Sequence, residues 1–69
     1  MNERIEQIIG ANVQRLRQEQ GHSKTAFCLM AGISRPYLDK VEAGEANITV
    51  RQLERLASGL GVEPVDLIS

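Results

Sequence analysis

The sequence has a single cysteine among its 69 residues, which excludes an internal disulfide. Its first residues, MNERIEQ, lack the apolar segment of a signal peptide. Together these features point to a reducing, cytoplasmic setting. No apolar run approaches the roughly 20 residues that a membrane-spanning helix needs, so no membrane partner is expected. Histidine also occurs once. One His, one Cys and scattered carboxylates make no nucleophile–base set and no metal-ligand cluster, and there is no phosphate-binding glycine-rich loop. The sequence therefore reads as no enzyme, with no metal, no cofactor and no small-molecule ligand. A chain this short lies near the lower limit for burying a self-sufficient core. With neither disulfide nor metal to staple it, pairing with a second copy is the expected source of added stability.

What the sequence does have is helical periodicity, and it is organised around SKTAFCLMAGISRPYLDKVEAG, residues 23–44. Phe27, Cys28 and Ala31 fall on one face of a first short helix, and Leu38 and Val41 on one face of a second. Gly32 between them can adopt the positive φ that a sharp turn requires. Ile33 follows, placed to drop into a core, and Ser34 suits the N-cap of the second helix. Two short helices around such a turn form a helix-turn-helix pattern, in which the second helix is the part that enters a DNA groove.

The flanks are helical too. Ile5, Ile9, Val13 and Leu16 form an apolar stripe through residues 2–20, with Asn2 as the cap and Gly21 just past the end. Gly10 inside that helix should cost about 1 kcal/mol against alanine, and a close packing partner would explain it. Thr49 followed by Gln52 matches a capping box and starts a helix at Val50 that buries Leu53, Leu56, Ala57 and Leu60. Pro64 opens a last short helix through Ile68, with Val62, Leu67 and Ile68 packing inward. The expected architecture is all-α: one domain over residues 1–69, with five helices at about 2–20, 24–31, 35–43, 50–60 and 64–68.

The stretches KTAFCLMAGIS and PYLDKVEAG resemble the phage-repressor type of helix-turn-helix, the Xre/Cro class with its lambda repressor-like fold. Phe27 stands at the leucine of that pattern, Cys28 at the alanine, Gly32 at the turn glycine, Ile33 and Ser34 at the Ile-Ser pair, and Glu42 and Gly44 at the closing Glu-x-Gly. IGANVQRLRQEQG before the motif and ITVRQLERLASGLGV after it resemble the family's flanking helices. The chain is expected to end after the fifth helix, with no separate dimerisation or effector domain. In this it resembles stand-alone Cro-like proteins and restriction–modification controller proteins.

The resemblance implies a sequence-specific DNA-binding transcriptional regulator, acting on double-stranded DNA as a homodimer on a palindromic operator. Dimerisation would fall to the last helices, where Val65 is the spare apolar residue. The base-contact positions that carry over are Arg35, Pro36, Tyr37 and Lys40, and those for phosphate contact are Ser23, Lys24, Ser34 and Asn47. Arg35 is the leading base reader, since a guanidinium matches the O6 and N7 acceptors of guanine. Pro36 can offer only apolar contact. Lys24 replaces the glutamine common in the family, which also braces a recognition-helix side chain; a lysine there keeps only the charge. Glu45 stands where a basic residue is common and should weaken phosphate contact locally. Arg17 and Glu42 carry over as a structural ion pair.

Three features fit less directly. The net charge is −1, about +1 over residues 1–44 and −2 over 45–69, which predicts modest and salt-sensitive affinity for DNA. Cys28 reads as the small side chain that fits where two helices cross, and His22 as a half-buried loop residue. Leu29 and Met30 occupy positions that are usually polar. They either cover the start of the first helix or form an exposed patch. With Tyr37 they would make the docking face of the alternative reading, a protein–protein interaction module on the same fold.

Overall fold

The computed structural model describes residues 4–69. Four α-helices follow in order: α1, Ile5–Glu19; α2, Lys24–Ala31; α3, Arg35–Glu42; and α4, Val50–Leu60. A single 3₁₀ segment, Pro64–Leu67, closes the chain, and no strand occurs among the described residues. The fifth α-helix expected at 64–68 is therefore corrected to a 3₁₀ turn. Four residues held by Pro64 at one end are too few for an α-helical ladder, and the tighter i→i+3 pattern suits so short a run. The turn leaves Leu67 fully buried but Ile68 40% exposed, so Ile68 does not pack inward as expected. Asn12 on α1 fixes this end of the chain by donating to the carbonyl oxygens of Leu67 (2.9 Å) and Ser69 (3.2 Å).

Helix α1 begins at Ile5, with Arg4 extended as its N-cap. The expected cap, Asn2, lies outside the described residues. Gln7 supplies a local substitute, its Oε1 accepting the Arg4 amide at 3.2 Å. The other starts follow the sequence closely. The hydroxyls of Ser23, Ser34 and Thr49 accept the amides of Ala26 (3.1 Å), Tyr37 (3.2 Å) and Gln52 (3.1 Å). Each satisfies one of the orphan N–H groups at its helix start. At Thr49 only this half of the expected capping box forms. The Gln52 side chain turns instead into a cleft beneath the α2–α3 turn, where its Oε1 is buried without a partner among the described residues.

The core draws one or more residues from every element. Val13, Phe27, Leu38, Val41, Leu56 and Leu67 are the largest fully enclosed side chains. Ile9, Cys28, Ala31, Ala46, Ala57 and Leu60 join them, while Ile5, the first member of the α1 stripe, is 48% exposed. Cys28 is buried, and that burial pushes its thiol pKa up. A protonated thiol in an apolar crossing is a packing group and not a reactive one.

Gly10 shows how closely the outer helices approach. A Cβ added there would run into the Val41 carbonyl oxygen and lie 3.3 Å from the Gly44 nitrogen. The helix α1 backbone thus rests against the end of α3, and only a residue without a side chain permits it. Intrinsic propensity would favour alanine at this helical position by about 1 kcal/mol. Because the obstacle is main chain and cannot rotate away, overpacking should dominate. Gly10→Ala is expected to destabilise the protein by about 1–3 kcal/mol, read as a lower urea midpoint.

Candidate nucleic-acid interface

Helices α2 and α3 meet at Gly32, which takes φ 71° and ψ 38°, the left-handed conformation that L side chains resist. The turn lets Ile33 pack against the core while α3 leaves at a new angle. Arg55, on α4, braces it from below, with Nη1 donating to the Gly32 carbonyl oxygen at 3.3 Å. Gly32, Ile33, Ser34, Tyr37, Gln52 and Arg55 line an open cleft of about 290 Å³ at this junction.

Helix α3 is sharply two-sided. Leu38 and Val41 are fully buried, whereas Arg35, Pro36, Asp39 and Lys40 are exposed. Pro36 lies in the first turn, where its missing N–H leaves no bond unmade. Tyr37 is half-buried, and its hydroxyl donates to the Asn47 carbonyl oxygen at 3.4 Å. Burial holds its phenol pKa above the ordinary value. Asn47 is exposed in the loop before α4, next to the buried Ala46 that anchors that loop, and Glu45 is exposed beside them.

The position of α3 is secured from below by Arg17 and Glu42. Arg17 Nε donates to Glu42 Oε2 at 2.7 Å and Nη2 to Oε1 at 3.1 Å, a two-pronged pair. The third nitrogen, Nη1, donates to the His22 carbonyl oxygen at 3.0 Å. The two side chains are only 8% and 5% exposed. The Glu42 hydrogen bond raises the Arg17 pKa above its ordinary value, so the cation stays charged despite burial. The end of α1, the loop after it and the end of α3 are joined by one guanidinium.

On the outer face, the turn brings together side chains that are far less obvious from the sequence. Arg35 Nη1 donates to Thr25 Oγ1 at 3.1 Å, and Arg35 Nε lies 4.0 Å from Asp39 Oδ1. Lys24 Nζ donates to the same Oδ1 at 3.0 Å. The Lys24 ammonium, with Arg35 nearby, holds the Asp39 carboxyl below the usual carboxylate range. Lys24 therefore does brace a recognition-helix side chain, though by an ion pair and not through an amide. Sequence reasoning passed over Thr25, Asp39 and Arg55. The i,i+4 spacing of Arg35 and Asp39 was a legible signal for one of these contacts. Lys40 makes no ion pair among the described residues.

Several large apolar side chains are exposed among the described residues, Val50 on α4 at 78% among them. Leu29 and Met30 on α2 are 81% and 53% exposed, so they form an exposed patch among the described residues. Val65 is 60% exposed beside Ile68 at the other end of the fold. Among the described residues there is no group of three or more His, Cys, Asp or Glu that could hold a metal, and no helix long and apolar enough to cross a membrane.

Comparison with known proteins agrees with this geometry. The chain is 37% identical over 65 residues to the uncharacterized HTH-type transcriptional regulator y4dJ of Sinorhizobium fredii, an alignment covering 94% of this chain and 84% of that protein. Its fold matches the restriction-modification controller protein C.AhdI of Aeromonas hydrophila with a TM-score of 0.85 and 29% identity, over 90% of this chain and 94% of that one. It also matches SinR, the master regulator for biofilm formation, solved in complex with DNA, with a TM-score of 0.82 and 27% identity, over 88% and 98% of the two chains. Residues 13–67 match the helix-turn-helix family model, and the chain belongs to that family.

Proposed function

We propose that this DNA-binding transcription regulator places α3 in the major groove of double-stranded DNA, with Arg35 as its principal base reader. The observation that carries this reading is the outward edge of α3. Arg35 is exposed, its guanidinium oriented by the Nη1 bond to Thr25 Oγ1 at 3.1 Å, and its remaining N–H donors match the O6 and N7 of a guanine. Lys40, with no ion pair to break among the described residues, reaches a base or a phosphate one turn on. Pro36 offers apolar contact. Tyr37, tied to the Asn47 carbonyl, contributes its ring edge and holds the adjacent loop.

Phosphate contact falls to Ser23 and Ser34 at two helix starts, to Lys24, and to Asn47. Residues 1–69 act as one unit, in the cytoplasm. Two copies bind a two-fold symmetric operator with half-sites about 34–36 Å apart. The exposed Val65 and Ile68 support pairing through the C-terminal end. The restriction-modification controller likeness makes control of a restriction system one setting for this activity.

Selection of bound duplexes from a random pool tests the reading. The expected product is an inverted repeat whose half-sites share at least one fixed guanine. Recovery of no preferred sequence, with binding equal on all duplexes, would refute it. Absence of DNA binding altogether would favour the interaction-module reading, which draws on the exposure of Leu29 and Met30.

A further inference from the structure

We propose that Asp39 is a second specificity-determining residue, its Oδ2 accepting a hydrogen bond from the exocyclic amino group of a cytosine. This rests on the major-groove reading of α3 given above. Asp39 lies on the exposed strip of α3 between Arg35 and Lys40, the strip that would face the bases. A carboxylate there is anomalous, because it approaches a polyanion. The structure shows how the free protein tolerates it. Oδ1 takes the Lys24 ammonium at 3.0 Å, with the Arg35 guanidinium at 4.0 Å. Oδ2 has no hydrogen-bond partner among the described residues, and the side chain is half exposed. One oxygen is neutralised and oriented while the other is left as an unused acceptor.

Base chemistry then selects the partner. An ionised carboxylate can only accept hydrogen bonds. In the major groove guanine shows N7 and O6 and thymine shows O4, all acceptors that would repel it. Cytosine offers the N4 amino group, whereas adenine's amino group lies beside its N7 acceptor. Asp39 thus attracts cytosine and rejects the alternatives, so discrimination comes from repulsion as well as bonding. Arg35 and Asp39 are four residues apart, about 6 Å along the helix. That is close to two base steps of about 3.4 Å. The guanine read by Arg35 and the cytosine read by Asp39 should therefore fall within about two steps of each other. Lys24 and Thr25 act as positioning residues: they hold the two readers in fixed relation before DNA arrives.

The test is duplex selection from a random pool with the wild-type chain, Asp39→Asn and Asp39→Ala, each checked for an unchanged thermal midpoint. The wild type should enrich a cytosine near its fixed guanine, with roughly ten- to a hundredfold preference over other bases. Asp39→Ala should lose preference at that position alone. Asp39→Asn should move it toward adenine, which an amide matches bidentately. The guanine should persist in all three selections. If the wild type selects a site and both variants select the same site, the Asp39 assignment is overturned while the groove reading stands. Equal loss of preference at every position would also overturn it, since a merely supporting side chain would act that way. A wild type that selects nothing overturns both.

Discussion

Glu42→Ala is expected to cost about 3–5 kcal/mol of folding stability, the usual penalty for stranding one member of a buried ion pair. The geometry puts the site at the severe end. Arg17 is 7% exposed, two of its nitrogens are committed to the Glu42 carboxylate, and water has little access to take their place. A domain of this size holds only about 3–10 kcal/mol in total, so a large share of the variant should be unfolded at room temperature. The pair itself is a different matter. Replacing both partners with apolar groups of similar volume is often neutral, because the desolvation of two charges is removed along with their attraction. Arg17→Met combined with Glu42→Leu should accordingly recover most of the loss seen in Glu42→Ala. Urea denaturation of the wild type, the single variant and the double variant reads this directly. A double variant no more stable than Glu42→Ala would mean that the pair is needed for more than mutual neutralisation, and the carbonyl of His22, bonded to the third Arg17 nitrogen at 3.0 Å, would be the first place to look.

Arg35→Ala is expected to do the opposite: to leave stability nearly unchanged and remove discrimination at the fixed guanine. The side chain is half exposed, and its bond to Thr25 is at the surface, so little folding energy rests on it. A bidentate guanine contact is worth about 1–3 kcal/mol of discrimination, and a dimer on two half-sites would forfeit it twice. Affinity for random duplexes should fall only by the small amount due to one lost charge. Lys24→Ala is a useful contrast. On charge alone it would weaken all sequences alike. The bridge to Asp39 changes that expectation, because removing Lys24 also exposes a carboxylate on the surface proposed to face DNA. Its loss should be larger than that of a single phosphate contact, and it should depend on the base opposite Asp39. Competitive binding to the selected and a scrambled duplex separates the two variants.

The parts of this molecule that were legible in the sequence are those set by local chemistry. Ser23, Ser34 and Thr49 mark three helix starts because each can satisfy an orphan amide with its own hydroxyl. Phe27, Leu38 and Leu56 declare the core by periodicity. Gly10 signalled a close approach before there was a partner to name, and that partner is the carbonyl of Val41. The parts that were not legible depend on how helices cross. The ion pair between Lys24 and Asp39 spans the turn, 15 residues apart, and no local pattern specifies where two long side chains on different helices will meet. The final segment failed for another reason. Pro64 announces a helix start equally well for an α-helix and a 3₁₀ turn, and the side on which Ile68 emerges depends on which of the two forms. The exposed arginine at the start of α3 was therefore readable, and the Asp39 carboxylate that pairs with Lys24 beside it was not.

Methylation interference on the selected duplex tests the central claim most directly. Methylating guanine N7 blocks the major-groove acceptor that Arg35 is assigned, whereas methylating adenine N3 marks the minor groove. The account predicts that N7 methylation of one guanine in each half-site abolishes binding of the wild type, and that adenine N3 methylation there has little effect. Interference confined to adenine N3, or none at the fixed guanine, would contradict the placement of α3.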